Sequence, residues 1–339
     1  MRFTQRIKTE KEIKLDLKDR KILYWLSENA RLPYTKIAKK VGLSKDAIKY
    51  RIKRLEKNGI IQGYLSIVDI AKLGYNTYHV FLQLNQMNER IKNRLIKIFK
   101  LHPFVKVIIE FSGKYDFEIG VAAKNIEELD AIIIKIIGQV SKYLQESQIL
   151  IISKYYERKI FPKSFLDLKS GIRIQKPSLK LKIDRTDLEI LKILSTNATV
   201  PLYEIGKLTK LSADAVKYRI KKMLNGKVII KHVPIINYSA LGYTVYAVLM
   251  NIHNFGEGKE RTLEQFLKTN ENILWAVKTI GKYNLLMYIC VKESDELHQT
   301  LIKLRELFSS DIKDYETLIA YEEYKYTYFP VICAEGCGR

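Results

Sequence analysis

The sequence predicts an α+β chain built from two copies of one unit, each unit having three short helices followed by a sheet-forming segment of order βαββαβ. Three observations carry that reading. Landmarks recur at one constant offset, apolar residues early in each copy follow helical spacing, and the remainder alternates strand and helix patterns.

The offset is 168 residues. Asn29-Ala30 recurs as Asn197-Ala198, Pro33 as Pro201, Gly74-Tyr75 as Gly242-Tyr243, Gly113-Lys114-Tyr115 as Gly281-Lys282-Tyr283, and Phe161-Pro162 as Phe329-Pro330. A constant spacing means two complete copies without net insertion. The period far exceeds that of a solenoid repeat, so each copy is expected to be self-sufficient. The expected boundaries are an N-terminal arm at 1–14, a helical domain at 15–63, a sheet domain at 64–162, a basic linker at 163–182, the second pair of domains at 183–231 and 232–330, and a tail at 331–339.

Residues 16–60 read as helical. Ile22, Leu23 and Leu26 share a face, Pro33 opens a second helix holding Ile37, Ala38 and Val41, and Gly42 ends it. Ser44 is a suitable N-cap for a third helix in which Ile48, Ile52 and Leu55 form the buried stripe. Three short helices with a tight turn before the last make a helix-turn-helix, and its third helix is the candidate reader of a DNA major groove. Residues 58–63 add a turn and a short wing strand. In the second copy the turn glycine moves one position earlier, to Gly226, so that wing is expected to be displaced.

The third helix is basic in both copies: residues 43–57 and 211–227 each carry a net charge of +4. Nine of the eleven positions in 43–53 are identical in 211–221. A charged helix face is often merely solvated, but this one follows a turn signature and occurs twice in a cationic chain, which favours DNA. The candidate DNA-binding residues are Lys45, Asp46, Lys49, Tyr50 and Lys53, with Ala213, Asp214, Lys217, Tyr218 and Lys221 in the second copy. Arg51, Arg54 and Lys57 are further basic positions of that helix in the first copy. Packing on the helix flank and contact with sugar or base are equally good readings of the two tyrosines.

The rest of each copy reads as strand 78–84, helix 89–100, strands 105–112 and 117–123, helix 126–143 and strand 147–160. That order is the ferredoxin-like split βαβ unit. Gly113 to Asp116 form the hairpin between its middle strands, glycine supplying the unusual backbone angle. Helices on one side leave the other sheet face bare, and that face needs a partner.

Composition bounds the function. There are 59 Lys+Arg against 37 Asp+Glu, a net charge of +22 that points to a polyanionic partner, double-stranded DNA before anionic membrane. No leader-like segment or run of about 18 apolar residues occurs, and a cytosolic protein without a membrane partner is expected. Of three cysteines, Cys290 is isolated, whereas Cys333 and Cys337 lie in a tail that reads as flexible, with no second ligand pair to complete a metal site. Neither metal nor cofactor is implied.

A winged helix-turn-helix of the form Leu-Ser-x-x-x-Ile-x-x-Arg-Ile-x-x-Leu-Glu-x-x-Gly-Ile-Ile, followed by a βαββαβ domain with a Gly-Lys-Tyr-Asp turn, resembles the Lrp/AsnC (feast/famine) family of transcriptional regulators. The resemblance covers both copies, making this a tandem duplicated form. It implies that the ferredoxin-like domains pair through their sheets, here inside one chain as a pseudo-dimer that can assemble further. It also implies an amino acid or other small effector near the turns Gly113, Tyr115, Asp116 and Gly281, Tyr283, Asn284, although a purely structural role for the turns is the simpler reading. Siroheme decarboxylases resemble the same two-domain arrangement, but none of the five histidines recurs at the 168-residue offset. A low-specificity architectural DNA-binding protein is the third alternative.

Overall fold

A computed structural model of the chain describes residues 14–166, 181–253, 256–308, 311–330 and 333. Most of the N-terminal arm, the centre of the linker and the tail with Cys337 lie outside the described residues. The first copy runs α1 (Leu17–Glu28), α2 (Tyr34–Val41), α3 (Lys45–Lys57), β1 (Ile61–Val68), β2 (Asn76–Leu84), α4 (Glu89–Leu101), β3 (Val105–Ser112), β4 (Phe117–Ala123), α5 (Ile126–Val140) and β5 (Leu144–Arg158). The second runs α6 (Arg185–Thr196), α7 (Leu202–Thr209), α8 (Ala213–Asn225), β6 (Ile229–Ile236), β7 (Thr244–Ile252), α9 (Glu257–Thr269), β8 (Ile273–Ile280), β9 (Leu285–Val291), α10 (Ser294–Leu307) and β10 (Ile312–Tyr326).

Local chemistry sets the helix limits. Asp16 and Asp19 cap α1 reciprocally, as Asp184 and Asp187 cap α6. The Ser44 side chain accepts from the Ala47 N–H at 3.1 Å to start α3, and Ser212 does the same for α8. Gly42 ends α2 in the left-handed region at φ 71°, a conformation glycine adopts without penalty. The second copy has Lys210 there at φ 57° and Lys227 likewise at φ 57° where Gly59 stands in the first. Because Lys227 adopts the left-handed angle, the wing is not displaced, contrary to the expectation from Gly226; β6 stays in step with β1.

Those two strands do not form separate wings. They pair antiparallel with each other, Leu65 opposite Val233, which are each other's counterparts in the two copies. A pseudo-twofold axis therefore passes through this ribbon. The boundaries expected at 63/64 and 231/232 fall inside β1 and β6.

The sheet domains go beyond face-to-face packing. Strands β10-β3-β4-β2-β5-β8-β9-β7 close into one barrel, with β5 pairing β8 and β10 pairing β3. Ile151 opposite Ile280 at one seam is matched by Ile319 opposite Ser112 at the other, the same pairing after exchange of copies. Closure leaves no free sheet edge. Helices α4 and α5 cover one outer face through Leu95, Phe99, Leu129 and Ile136. The helices α9 and α10 cover the other through Leu263, Leu267 and Leu304. Cys333 is buried in the core beneath the second helical domain, against the expectation of a flexible tail around it.

Candidate nucleic-acid interface

Helix α3 buries Ile48, Ile52 and Leu55 and turns its other faces outward; α8 does so with Val216, Ile220 and Met223. All ten candidate residues are exposed: Lys45, Asp46, Lys49, Tyr50, Lys53, Ala213, Asp214, Lys217, Tyr218 and Lys221. Tyr50 and Tyr218 are 68% and 69% accessible, so neither packs on its helix flank. Two tyrosines held this far out, each beside an exposed lysine, form a surface suited to sugar, base or phosphate.

The arginines of α3 do different work. Arg51 Nη1 donates to Asp16 Oδ2 at 2.7 Å and Asp19 Oδ1 at 2.8 Å, while Arg54 Nη2 donates to Asp19 Oδ2 at 2.6 Å. Burial alone would raise the Asp16 carboxyl, but the Asp19 N–H and the Arg51 guanidinium overcome it and hold the group below its usual range. In the second copy Arg219 bonds Asp184 at 2.7 Å and Asp187 at 2.8 Å. These arginines brace the recognition helix against α1 or α6, and the positive charge left for a partner lies on the lysines. The sequence held a signal for this that charge counting missed: Asp-x-x-Asp and its arginine both recur at the constant offset.

The ribbon fixes the two helical domains to each other. Ala30 N–H donates to the His232 carbonyl at 2.9 Å, and Ala198 N–H to the Tyr64 carbonyl at 3.0 Å. Asn29 Oδ1 accepts from Arg31 N–H and Asn197 Oδ1 from Thr199 N–H, each at 2.9 Å. The recurring Asn-Ala pair is thus the latch that ties each helical domain to the other copy's strand. One copy adds more: Arg31 Nη1 donates to the carbonyls of Ala198 and Val200 at 2.7 and 3.0 Å, and Lys231 pairs with Glu28 at 2.8 Å. Buried at the dyad, the Ser66 hydroxyl and His232 Nδ1 share a hydrogen bond of 2.8 Å. Burial, with Arg31 nearby, lowers the His232 imidazole to about 4.

The hairpin residues proposed to border an effector are largely engaged. Leu84 N–H donates to Asp116 Oδ2 at 2.7 Å; Asn284 accepts from Ile252 N–H at 2.9 Å and donates to the Ile252 carbonyl at 2.7 Å. Tyr115 and Tyr283 are buried and close enough for each phenol to perturb the other. Gly113 and Gly281 are required by approach as well as by angle. At φ 143° and 145°, a Cβ would fall 2.7 Å from Leu318 Cδ2 and from the Ile149 carbonyl oxygen respectively, each across the barrel seam.

Comparison with known proteins agrees with this geometry. Residues 15–62 match the model for a winged helix-turn-helix DNA-binding domain, and residues 183–224 the AsnC-type helix-turn-helix domain. The HTH-type transcriptional regulator LrpA of Pyrococcus horikoshii is 33% identical over 140 residues, covering 41% of this chain and 98% of the relative. The chain belongs to the Lrp/AsnC family. Its match to the proline dehydrogenase transcriptional activator of Rhodobacter capsulatus is 32% over 115 residues, 34% of this chain and 75% of that protein. Such relatives correspond to about one copy, so this Lrp/AsnC chain carries two family units in tandem. Its whole-chain fold is shared with the siroheme decarboxylase NirDL, at a TM-score of 0.61 and 14% identity over 91% of this chain and 92% of that one. Among the described residues no cluster of three or more His, Cys, Asp or Glu is placed to hold a metal, and no helix is long and apolar enough to cross a membrane.

Proposed function

We propose that this chain is a DNA-binding transcriptional regulator of the Lrp/AsnC type, working as a covalent pseudo-dimer that sets α3 and α8 into major grooves of one duplex. The observation that carries this is the repeated exposed face of Lys49, Tyr50 and Lys53 and of Lys217, Tyr218 and Lys221, on domains latched across a dyad. Ala213 replaces Lys45, so the target is an imperfect palindrome. Anisotropy of labelled duplex across a salt series tests the reading. Log affinity should fall linearly and steeply with log salt, and a flat line would reject DNA as the partner.

We infer that a small effector, an amino acid or related metabolite, binds beside the first hairpin, where Asp116 carries a carboxylate. Asn284 spends both amide groups on Ile252, so one ligand per chain is expected. Calorimetry finding two equal sites would contradict that asymmetry.

A siroheme-decarboxylase-like enzyme is the second reading, favoured by the whole-chain likeness in fold. The absence of any recurring histidine weighs against it. An unchanged visible spectrum on mixing with siroheme would dispose of it.

A further inference from the structure

The barrel interior holds a cluster that the DNA-reading helices do not use. His79 points inward from β2 and Glu118 from β4; Tyr288 on β9 and Trp275 on β8 face them from the other copy. His79 Nδ1 and the Tyr288 hydroxyl both bond the Glu118 carboxylate, one on each oxygen. His79 is 6% exposed, and among the described residues its Nε2 has no hydrogen-bond partner. With Nδ1 committed to the carboxylate, Nε2 is the ring atom left to bond a ligand. Trp275 lies 5.5 Å from the His79 ring and 5.4 Å from Tyr288, centroid to centroid.

Two cations stand beside these groups. Arg158, opposite Trp275 on the neighbouring strand, lies 4.4 Å above the Tyr155 ring; Lys106, 8% exposed, donates to Thr77 Oγ1 at 3.1 Å. Among the described residues neither forms an ion pair. Burial, with Arg158 close by, lowers the Lys106 ammonium to about 8. Although they face inward, Tyr155, Arg158, Trp275 and Tyr326 are partly exposed, so the cluster lies near one end of the barrel.

The cluster belongs to neither copy. At the 168-residue offset His79 is replaced by Ala247, Glu118 by Leu286, Lys106 by Leu274 and Arg158 by Tyr326, while Tyr288 and Trp275 replace Gly120 and Val107. One sheet has concentrated ionisable groups and the other large aromatic rings. An orphaned buried imidazole nitrogen beside two cations that, among the described residues, have no carboxylate partner is an arrangement an anionic ligand would complete.

We propose that the end of the barrel lined by these groups is a binding site for a small aromatic carboxylate carrying a hydroxyl on its ring. Arg158 and Lys106 take the carboxylate, Trp275 and Tyr155 hold the ring, and His79 Nε2 shares a hydrogen bond with the hydroxyl. The proposal does not depend on DNA binding.

The chain has two tryptophans, Trp25 on α1 and Trp275, so the full-length Trp25→Phe protein reports on the site alone. Its emission is followed during titration with the three hydroxybenzoate isomers and with benzoate, which lacks the hydroxyl. At least one isomer should give a saturable change, benzoate should bind at least about tenfold more weakly, and Arg158→Gln should weaken binding by a similar factor. The ligand series is read on a single protein, so it stands even where a variant folds poorly. Absence of a saturable change with every isomer, equal binding of benzoate, or a response indifferent to both Arg158→Gln and Lys106→Gln in folded protein would overturn the proposal.

Discussion

The two ends of the molecule have treated duplication in opposite ways. On the recognition helices the copies stay nearly identical, nine positions of eleven, whereas inside the barrel His79 of the first sheet stands where the second has Ala247. On the proposed reading, a near-palindromic duplex would present similar surfaces to both helices and would penalise drift in either one. The barrel interior is under no such demand once both halves are one chain: a histidine or tyrosine gained on one side can be accommodated by the small counterpart on the other. Gly120, the counterpart of Tyr288, is held small by its own sheet, since a Cβ there would lie 2.9 Å from Val107 Cβ. Symmetry is retained on the surface proposed to meet DNA and is lost where each half faces only the other.

The largest effect that would break this comparison is expected on DNA. Joint charge reversal, Lys49→Glu with Lys217→Glu, should weaken binding by about a thousandfold at low salt and reduce the salt slope by about 2, and each single reversal should account for about half. Equilibrium binding across a salt series checks both quantities. Strongly unequal singles would mean that the two helices do not read equivalent half-sites.

The barrel should respond without symmetry. Glu118→Leu, which installs the second copy's residue, leaves His79 and Tyr288 without their shared acceptor and should cost about 3 kcal/mol, measured by denaturant unfolding.

At the ribbon the prediction concerns pH. His232 in the folded chain titrates near 4 rather than near its ordinary value of 6.5, so between those limits the unfolded chain binds the proton that the folded chain refuses. Stability should therefore fall as pH drops from 6.5 to 4, by up to about 3 kcal/mol, and level off below. Other carboxylates titrate in that window, so the measurement is the difference between the parent and His232→Gln, in which this component should vanish.

A smaller effect separates the two bracing arginines. Asp19 is shared by Arg51 and Arg54, but among the described residues Asp187 pairs with Arg219 alone. Arg219→Ala should cost about 2 kcal/mol of stability and Arg51→Ala about 1 kcal/mol, with the salt slope of DNA binding unchanged in both.

Much of this architecture was legible in the residues. The 168-residue offset, the Ile48, Ile52 and Leu55 stripe, the Ser44 cap and the βαββαβ order all correspond to elements present in the fold. They were readable because each depends on spacing within a short stretch. Pairing between distant segments leaves no such mark. The β1–β6 ribbon and the closure of the barrel depend on which strand meets which, and a wing that pairs within its domain looks the same in sequence as one that pairs across a dyad. Lys227 hid the wing's true course because a lysine at φ 57° is uncommon. On the recognition helices the residue types were plain, but the split between bracing arginines and free lysines became visible only once α1 lay beside α3.

The central claim is that one chain presents two equivalent readers to one duplex. Selection of bound sequences from random DNA, followed by footprinting of the winners, tests it most directly. The structure predicts two related half-sites in inverted orientation, about 34 Å or a multiple of it apart, protected together by a single chain. A single isolated half-site, or no sequence enriched above random DNA, would contradict it.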